Sequence, residues 1–533
     1  MKHYFLLSLL CLLLNISLLS AQQLIADGPE DPESCTSIMV GKLASTDGSV
    51  ITSHTCDGAY RTWLEITPAK TYPDTATRPV YWGMMKTESV WDKDKAQMKA
   101  RLPQAKETFA YLNTSYPCLN EKQLAMGETT ISGRKELVNK NGLFMIEELE
   151  AIALERCSTA RQAIRLIGDL IEKYGYGDWG ECITIADPKE VWQMEITGEG
   201  PDQVGGLWVA QRIPDDHVGV SANIPRIAEV DFNSPDYFMT SKDLKAKAKK
   251  LGFWDGKETF KFYKVVSKGK PFSIREFYIL STLAPSLNLS YDADELPFSV
   301  KPDKKVAPRD VIRYYRETYE NTPWDMTQNL LVTKTLRDEK GNSRDTIVKS
   351  PIAQAWMNSD LMTLLNTLKP DLIKRQRTVA VAWCSYSHII QCRDWLPDEV
   401  GAVAWFSFDN PAESPRIPIF SGVTKLPESF NVCGQQRLRD DAAIWAYRKA
   451  NRLAQVNWSR GRDLIEPAVM QFEDKAFNEM PYVEAQVKQL LAEGKKEEAR
   501  NYVTRYTNDF AYSTMRCWEE MESKLWNMFG KGF

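Results

Sequence analysis

The first residue that could do chemistry is Cys35, in the stretch "PESCTSIMVGKLASTDGSVITSHTCDG" at residues 32–58. A thiol needs a base to remove its proton, and histidine is the usual base. Only His54, His217 and His388 follow the apolar start of the chain, and none of them lies in a local catalytic motif. The remaining way to activate the thiol is to place it at the chain terminus, where its own α-amine can act as the base.

Proton exchange between these two groups is inexpensive. An α-amine has a pKa of about 7.7–8.0 and a thiol one of about 8.5, a difference on the order of 1 kcal/mol. The mechanism requires cleavage of the Ser34–Cys35 bond. Residues 22–34, "QQLIADGPEDPES", carry two prolines and a glycine with little apolar content, which predicts an exposed spacer that is easily cut. We therefore expect these residues to be a propeptide.

The first 21 residues predict export. Lys2 is followed by a long apolar run and then by Ser20 and Ala21, the order of a secretory signal peptide. An uncleaved membrane anchor is the alternative, whereas a lipoprotein at Cys11 is disfavoured because Leu10 precedes it. No later segment is apolar enough to span a bilayer, so we expect a periplasmic or secreted protein without stable membrane insertion. Nine cysteines remain after export, so at least one cannot pair within the chain.

Composition narrows the function. The chain has 533 residues, with 67 Lys and Arg against 71 Asp and Glu, and no basic block that would bind nucleic acid. The sequence contains no HExxH, GxSxG or Walker A motif and no GxGxxG motif followed by a predicted helix. It therefore lacks the residues on which zinc peptidases, α/β-hydrolases, P-loop proteins and Rossmann folds depend. A small, uncharged or mixed-charge ligand is expected.

Alternating strand-like segments and helical blocks must position Cys35. "TSIMVGKL" and "SVITSHTC" flank "ASTDG" and predict an antiparallel hairpin directly after Cys35. Helical spacing over 145–175 predicts two amphipathic helices joined near Ser158, the second ending at Gly175. Residues 336–346 predict a hairpin tip or loop, and segments 437–457 and 482–528 predict long helices with a polar junction at 492–500. The pattern predicts an α+β fold.

Four segments, in order, also resemble a known family. "CTSIMVGKLASTDGSVITSHTCD", "NEKQLAMGETT" (120–130), "WGECITIADPKEVWQMEITG" (179–198) and "WVAQRIPDDHVGVSANIPRI" (208–227) resemble the C69 dipeptidases. These are N-terminal nucleophile hydrolases related to secernins, bile-salt hydrolases and penicillin V acylases. The resemblance implies a four-layer αββα sandwich over 35–533, with a helical C-terminal region over about 437–533. It implies no metal or organic cofactor.

The resemblance also assigns roles to particular residues. Cys35 matches the nucleophile, and its α-amine the base. Asp57 matches the Asp that holds this amine, and Asn223 the Asn whose amide contributes to the oxyanion hole. Glu128 and Thr129 lie where relatives line the pocket. Where relatives commonly have an arginine three residues before the Asp, this chain has His54, with Arg61 further on, so the position of the cation is open.

The sequence thus predicts an exported cysteine dipeptidase that hydrolyses short peptides through an acyl-enzyme on Cys35. An amidase acting on a non-peptide amide is the alternative within enzymes, because the same catalytic group would serve it. A non-enzymatic exported binding protein is the alternative outside enzymes. A homo-oligomer is compatible with the sequence.

Overall fold

A computed structural model describes residues 34–87, 96–131 and 133–530. The predicted signal peptide (1–21) and all but the last residue of the predicted propeptide (22–34) lie outside the described residues. Contacts divide the described chain into two compact units, one comprising 34–318 and 378–530 and the other comprising 319–377. The first unit contains Cys35.

The described residues form strands and helices that we number in chain order. The strands are β1 Ser34–Val40, β2 Val50–Asp57, β3 Glu65–Thr67, β4 Lys70–Thr71, β5 Thr77–Trp82, β6 Gln97–Pro103, β7 Glu107–Thr108, β8 Tyr111–Asn113, β9 Leu119–Asn120, β10 Ala125–Ile131, β11 Gly180–Ala186, β12 Val191–Thr197, β13 Leu207–Arg212, β14 Val218–Ser221, β15 Phe238–Thr240, β16 Ser299–Val300, β17 Leu331–Arg337, β18 Ser343–Lys349, β19 Cys384–Cys392, β20 Ala402–Phe408 and β21 Ile417–Phe420. The helices are α1 Ile146–Arg156, α2 Ala160–Tyr174, α3 Leu244–Lys250, α4 Phe262–Val266, α5 Ile274–Leu283, α6 Pro308–Tyr315, α7 Ser359–Leu368, α8 Asp398–Gly401, α9 Ala443–Val456, α10 Trp458–Ala492 and α11 Lys496–Phe529.

Two antiparallel sheets form most of the larger unit. The first has the strand order β16-β14-β1-β2-β19-β20-β21, and the second has the order β15-β13-β12-β11-β10-β9-β8-β3. Every residue of β1, β2, β19, β11 and β12 is buried, so both faces of these strands are covered. Strands β1 and β2 contact β10, while α2 contacts β11 and α11 contacts β21. The predicted α+β class is confirmed.

The predicted hairpin after Cys35 is present, but its turn is not tight. Strands β1 and β2 pair antiparallel with Val40 opposite Ile51, and residues 41–49 connect them. The connection is long because the chain first folds against a neighbouring loop, where the Gly41 N–H donates to His217 O at 2.9 Å. Gly48 then takes the positive φ of 84° that the Asp-Gly pair predicts.

The two helices predicted over 145–175 are confirmed as α1 and α2. Thr159 precedes α2, and its side chain accepts a hydrogen bond from the Gln162 N–H, which caps the helix. Gly175 follows α2 with a φ of 83°, a conformation that glycine adopts without strain.

The C-terminal region is more continuously helical than the sequence predicts. Helix α10 begins 24 residues before the predicted 482. It continues through Pro467 and Pro481, although proline normally breaks a helix. The predicted polar junction is confirmed, since Gly494 follows α10 with a φ of 74° and α11 begins at Lys496. Both helices exceed 30 residues, yet no helix in the described ranges combines the length and hydropathy needed to cross a membrane.

The unit of residues 319–377 has its own small core. Strands β17 and β18 pair antiparallel, with Gly341 in the tip at a φ of 81°, which confirms the hairpin tip predicted near 336–346. Helix α7 follows the hairpin, and the buried residues of this unit include Leu330, Met357 and Ile373.

Candidate active site

Cys35 is the second residue of β1, a strand with β2 on one side and β14 on the other. It lies opposite Cys56 of β2, and its backbone nitrogen donates to Asn223 Oδ1 at 2.9 Å. Burial raises the pKa of its thiol well above the usual value, and the charges of Glu128 and Asp57 add to that shift. In the intact chain the thiol is therefore protonated, and its nitrogen is an amide without basicity.

Asp57 lies where the sequence predicts it, at the end of β2. It is fully buried, and in the register of the two strands it is opposite Ser34, the residue before the nucleophile. The Thr55 hydroxyl donates to Asp57 Oδ2 at 3.0 Å and accepts from the Thr36 N–H at 2.9 Å. This relay fixes the carboxylate beside the Ser34–Cys35 bond. Its predicted role in holding the α-amine stays a prediction.

Asn223 follows β14 in a left-handed conformation, with a φ of 67°. Its Oδ1 atom accepts from the Cys35 nitrogen, while its Nδ2 atom donates to Thr130 O at 2.7 Å. The side chain thus joins the nucleophile's strand to β10 of the second sheet. Because Nδ2 is engaged here, its predicted use as an oxyanion donor requires that the contact with Thr130 be released, and that role stays a prediction.

Arg275 is a site residue that the sequence reasoning missed. One arm of its guanidinium, Nη1, donates to Cys35 O at 2.6 Å, and the other, Nη2, donates to Asn223 Oδ1 at 2.8 Å. The side chain is buried and lies in the first turn of α5, where Ser273 and Glu276 form a capping box. A capping box predicts only a helix start. No local signal shows that this arginine reaches a cysteine 240 residues away.

Glu128 and Thr129 point to different places although they are neighbours in β10. A carboxylate oxygen of Glu128 lies within 4.8 Å of Cys35 Sγ. The Thr129 hydroxyl instead hydrogen-bonds the Ser221 hydroxyl at 2.6 Å. Burial raises the pKa of Glu128 to about 7. Of the two predicted pocket residues, the structure therefore brings Glu128 to the nucleophile.

His54 and Arg61 do not supply a positive charge beside the thiol. Burial lowers the pKa of His54 to about 4, so its imidazole is neutral at physiological pH, and its Nδ1 atom lies 2.6 Å from Glu128 O. The Arg61 guanidinium lies over the Trp63 ring at 3.9 Å and donates to Met84 O at 2.7 Å. The cation in contact with Cys35 is Arg275.

One group of side chains in the described ranges could hold a metal ion. Donor atoms of Cys35, His54 and Glu128 all lie within 4.8 Å of one another, and all three residues are buried. Thiolate, imidazole and carboxylate together form a set that suits Zn²⁺. Such an ion would occupy the sulfur that the predicted chemistry uses, so the trio fits an inhibitory ion better than a catalytic one.

The cysteines form no disulfide within the described chain. All nine thiols from Cys35 to Cys517 are free, and each except Cys517 is buried. The unpaired thiol that an odd count requires is therefore one of several, and buried cysteines of this kind pack as small apolar residues.

Comparison with known proteins identifies the class of this chain as a peptidase. Residues 34–471 match Peptidase family C69, and the chain belongs to that family. The resemblance stated from the sequence is thus confirmed. Similar proteins include a "Probable dipeptidase" of Latilactobacillus sakei, 26% identical over 74% of this chain and 76% of the relative. A "Probable dipeptidase" of Salmonella dublin is 25% identical over 73% and 81%, and "Dipeptidase A" of Lactobacillus helveticus is 21% identical over 80% and 82%.

Proposed function

We propose that this protein is an exported cysteine dipeptidase whose active form begins at Cys35 and cleaves through an acyl-enzyme. The observation that carries the proposal is the hydrogen bond from the Cys35 nitrogen to Asn223 Oδ1 at 2.9 Å, because it fixes the atom that would become the base. Family membership and the relatives named dipeptidase support the substrate class.

We further propose that the fold is the four-layer αββα sandwich of N-terminal nucleophile hydrolases. Contacts of β1 and β2 with β10 support two facing sheets. Contacts of α2 with β11 and β12, and of α9 and α11 with β20 and β21, support a helical layer outside each sheet. The C-terminal helices would then be the outer layer of the first sheet.

Activation begins with removal of the residues before Cys35. Hydrolysis of the Ser34–Cys35 bond converts an amide nitrogen into an α-amine, which is basic near neutral pH. Asp57 and Asn223 already flank this bond, so they would orient the new amine without rearrangement. The family match, which begins at residue 34, supports this start of the mature chain.

In the catalytic cycle the amine takes the thiol proton, and the Cys35 sulfur attacks the carbonyl carbon of the peptide bond. The amine then returns the proton to the leaving amine of the second residue, leaving the first residue as a thioester on Cys35. Water, deprotonated by the same amine, hydrolyses the thioester and restores the thiol. Asn223 Nδ2, released from Thr130, would donate to the oxyanion, a contribution of roughly 3–4 kcal/mol.

Arg275 has a positioning role in this scheme. Its guanidinium holds Cys35 O and Asn223 Oδ1 together, which fixes the nucleophile relative to the amide that would bind the oxyanion.

The first experiment is the intact mass and N-terminal sequence of the exported protein, for the wild type and for Cys35→Ala. We expect the wild type to begin at Cys35 and to hydrolyse dipeptides, and the variant to retain residues 22–34 and to be inactive. Cys392→Ala is the matched control, because it removes another buried thiol at the far end of β19. An active wild type that begins at Gln22 would overturn the α-amine mechanism.

A further inference from the structure

Glu128, which lies beside the nucleophile, belongs to a group of buried carboxylates that we call the acidic cluster. Its members come from β10, β11 and α1, and none is more than 3% exposed: Glu128, Glu147, Glu150 and Glu181. Glu128 and Glu181 lie on adjacent strands, with Thr130 directly opposite Glu181. Two carboxylates two positions apart in this register are diagonal neighbours.

The acidic cluster contains no ion pair among the described residues, although the Arg61 guanidinium attracts Glu147. Within the described part of the chain, none of its members forms an ion pair, and each keeps at least one oxygen without a hydrogen-bond partner. By contrast Glu148, on the same helix as two members, pairs with Arg78 at 2.5 Å, and so does Glu155 at 3.1 Å. The fold therefore gives nearby buried carboxylates an arginine partner, whereas the cluster members form no ion pair with the described residues.

Unpaired buried carboxylates are costly unless they take up protons or meet a cation. The Glu128 and Glu181 carboxyl groups lie within hydrogen-bonding distance of each other, so the two side chains converge on one position. An imidazole nitrogen is also available, since His54 is buried and its Nε2 atom has no hydrogen-bond partner among the described residues. Donor atoms of Glu128 and His54 therefore lie within 4.8 Å of the Cys35 sulfur.

The distance from the acidic cluster to the sulfur fits a specific ligand group. In a dipeptide the α-ammonium nitrogen is about 2.5 Å from the carbonyl carbon that is attacked. Attack begins with sulfur and carbon roughly 3–3.5 Å apart. An ammonium–carboxylate hydrogen bond is about 2.8 Å long. A carboxylate that binds this ammonium must therefore lie near the sulfur, and a Glu128 oxygen lies within 4.8 Å of Cys35 Sγ.

We propose that Glu128 and Glu181 bind the free α-ammonium group of the substrate's first residue and so restrict cleavage to the bond after an unblocked N-terminal residue. This inference rests on the proposed dipeptidase function. An N-acylated amide, such as a bile salt or a penicillin, would leave both carboxylates buried and unpaired.

The test compares matched substrates on the mature wild-type enzyme: Ala-Ala, N-acetyl-Ala-Ala and Ala-Ala amide. We expect kcat/KM for Ala-Ala to exceed that for N-acetyl-Ala-Ala by at least 100-fold, with a smaller change for the amide, which keeps the α-ammonium. Equal rates for the free and acetylated peptides would overturn the inference while leaving the peptidase intact. If the enzyme cleaves none of these three substrates and no other free dipeptide in a panel, the result would instead count against the proposed function.

Variants assign the effect to residues. We expect Glu128→Gln and Glu181→Gln to raise KM for Ala-Ala 10-fold or more, with a smaller change in kcat. The ratio of kcat/KM for Ala-Ala to kcat/KM for N-acetyl-Ala-Ala should also decrease. Glu195→Gln, another buried glutamate of the same sheet, is the matched control and should keep the wild-type preference. If both cluster variants keep the preference and KM of the wild type, the ammonium binds elsewhere and the inference is wrong. The wild-type comparison stands even if a variant fails to fold.

Discussion

The Cys35 nitrogen donates a hydrogen bond of 2.9 Å to Asn223 Oδ1, across 188 residues of sequence. Asn223 in turn reaches Thr130 of the second sheet and Arg275 of α5. One amide side chain thus connects the nucleophile to both a facing strand and a buried cation, which makes it the residue on which the geometry of the site depends most.

Loss of this amide should lower the rate of catalysis more than substrate binding. We expect Asn223→Gly to lower kcat about 100-fold or more, the loss typical of an oxyanion donor. Glycine is the appropriate replacement because residue 223 has a φ of 67°. Asn223→Ala should be equally slow but about 1 kcal/mol less stable, since alanine is strained in that conformation. Steady-state kinetics measure kcat, and thermal unfolding measures stability. A kcat near that of the wild type in Asn223→Gly would contradict the role of Asn223 as an oxyanion donor.

Arg275 should tolerate neither loss of charge nor loss of shape. Lysine keeps the charge but cannot make the two-armed contact with Cys35 O and Asn223 Oδ1. We expect Arg275→Lys to lower kcat about 10-fold to 100-fold, since each hydrogen bond to a charged group contributes roughly 1.5–3 kcal/mol. Arg309→Lys, at an exposed ion pair with Asp474, is the control. Equal kinetics for the two variants would show that shape is unimportant.

Stability should fall as the pH rises from 4.5 to 7. Burial raises the pKa of Glu195 from 4.5 to about 7, so between these values the folded state binds a proton that the unfolded state releases. This contribution is fully present below pH 4.5 and lost by about pH 7, on the order of 3 kcal/mol for this group. The thermal midpoint of Glu195→Gln should therefore decrease less between pH 5 and pH 7.5 than that of the wild type.

Glu339→Gln is the control for that measurement, because Glu339 is exposed in the β17–β18 hairpin. It should show the wild-type pH dependence. If the thermal midpoint of Glu195→Gln decreased with pH as much as that of the wild type, Glu195 would be ionised in the folded protein at pH 5.

Zinc should inhibit the mature enzyme reversibly. Cys35, His54 and Glu128 offer three donors within 4.8 Å of one another, and a Zn²⁺ ion bound to them would occupy the nucleophile. We expect His54→Gln to weaken zinc binding about 10-fold or more, measured by chelator competition and by the thiolate charge-transfer band of bound Co²⁺. His217→Gln, which removes a more exposed imidazole bonded to Ser299, should bind zinc like the wild type. Equal zinc affinities for the wild type, His54→Gln and His217→Gln would show that zinc does not bind at Cys35, His54 and Glu128.

Local patterns predicted the parts of this molecule that local forces determine. The β1–β2 pair, the helices α1 and α2, and the identity of Cys35 as a candidate follow from periodicity, turn residues and the shortage of histidines. The long β1–β2 connection was not predictable, because it results from hydrogen bonds of Gly41 with residues near His217. The start of α10 was missed because tertiary packing outweighed the helix-breaking tendency of Pro467.

The residues of the candidate site likewise fall into those that the sequence predicted and those that only the structure reveals. Asp57 and Glu128 are close to family motifs and could be named from the sequence. Arg275 could not, since its contact with Cys35 depends on how distant segments pack. Glu181 lies in a family segment, but its place beside Glu128 follows from the pairing of β10 with β11. Counting charges in the sequence cannot predict these pairings. Only the structure shows that Arg78 pairs with Glu148 and that Glu181 forms no ion pair with the described residues.

The first residues of a folded chain usually fray, which would be a poor place for a nucleophile. In the proposed mature enzyme Cys35 would be such a residue, yet β1 is hydrogen-bonded to β2 and β14 along its two edges, and every residue in it is buried. The terminus would therefore lose little conformational entropy when the substrate binds. A newly exposed chain end would have the rigidity of a core strand and still carry the one backbone nitrogen that can act as a base.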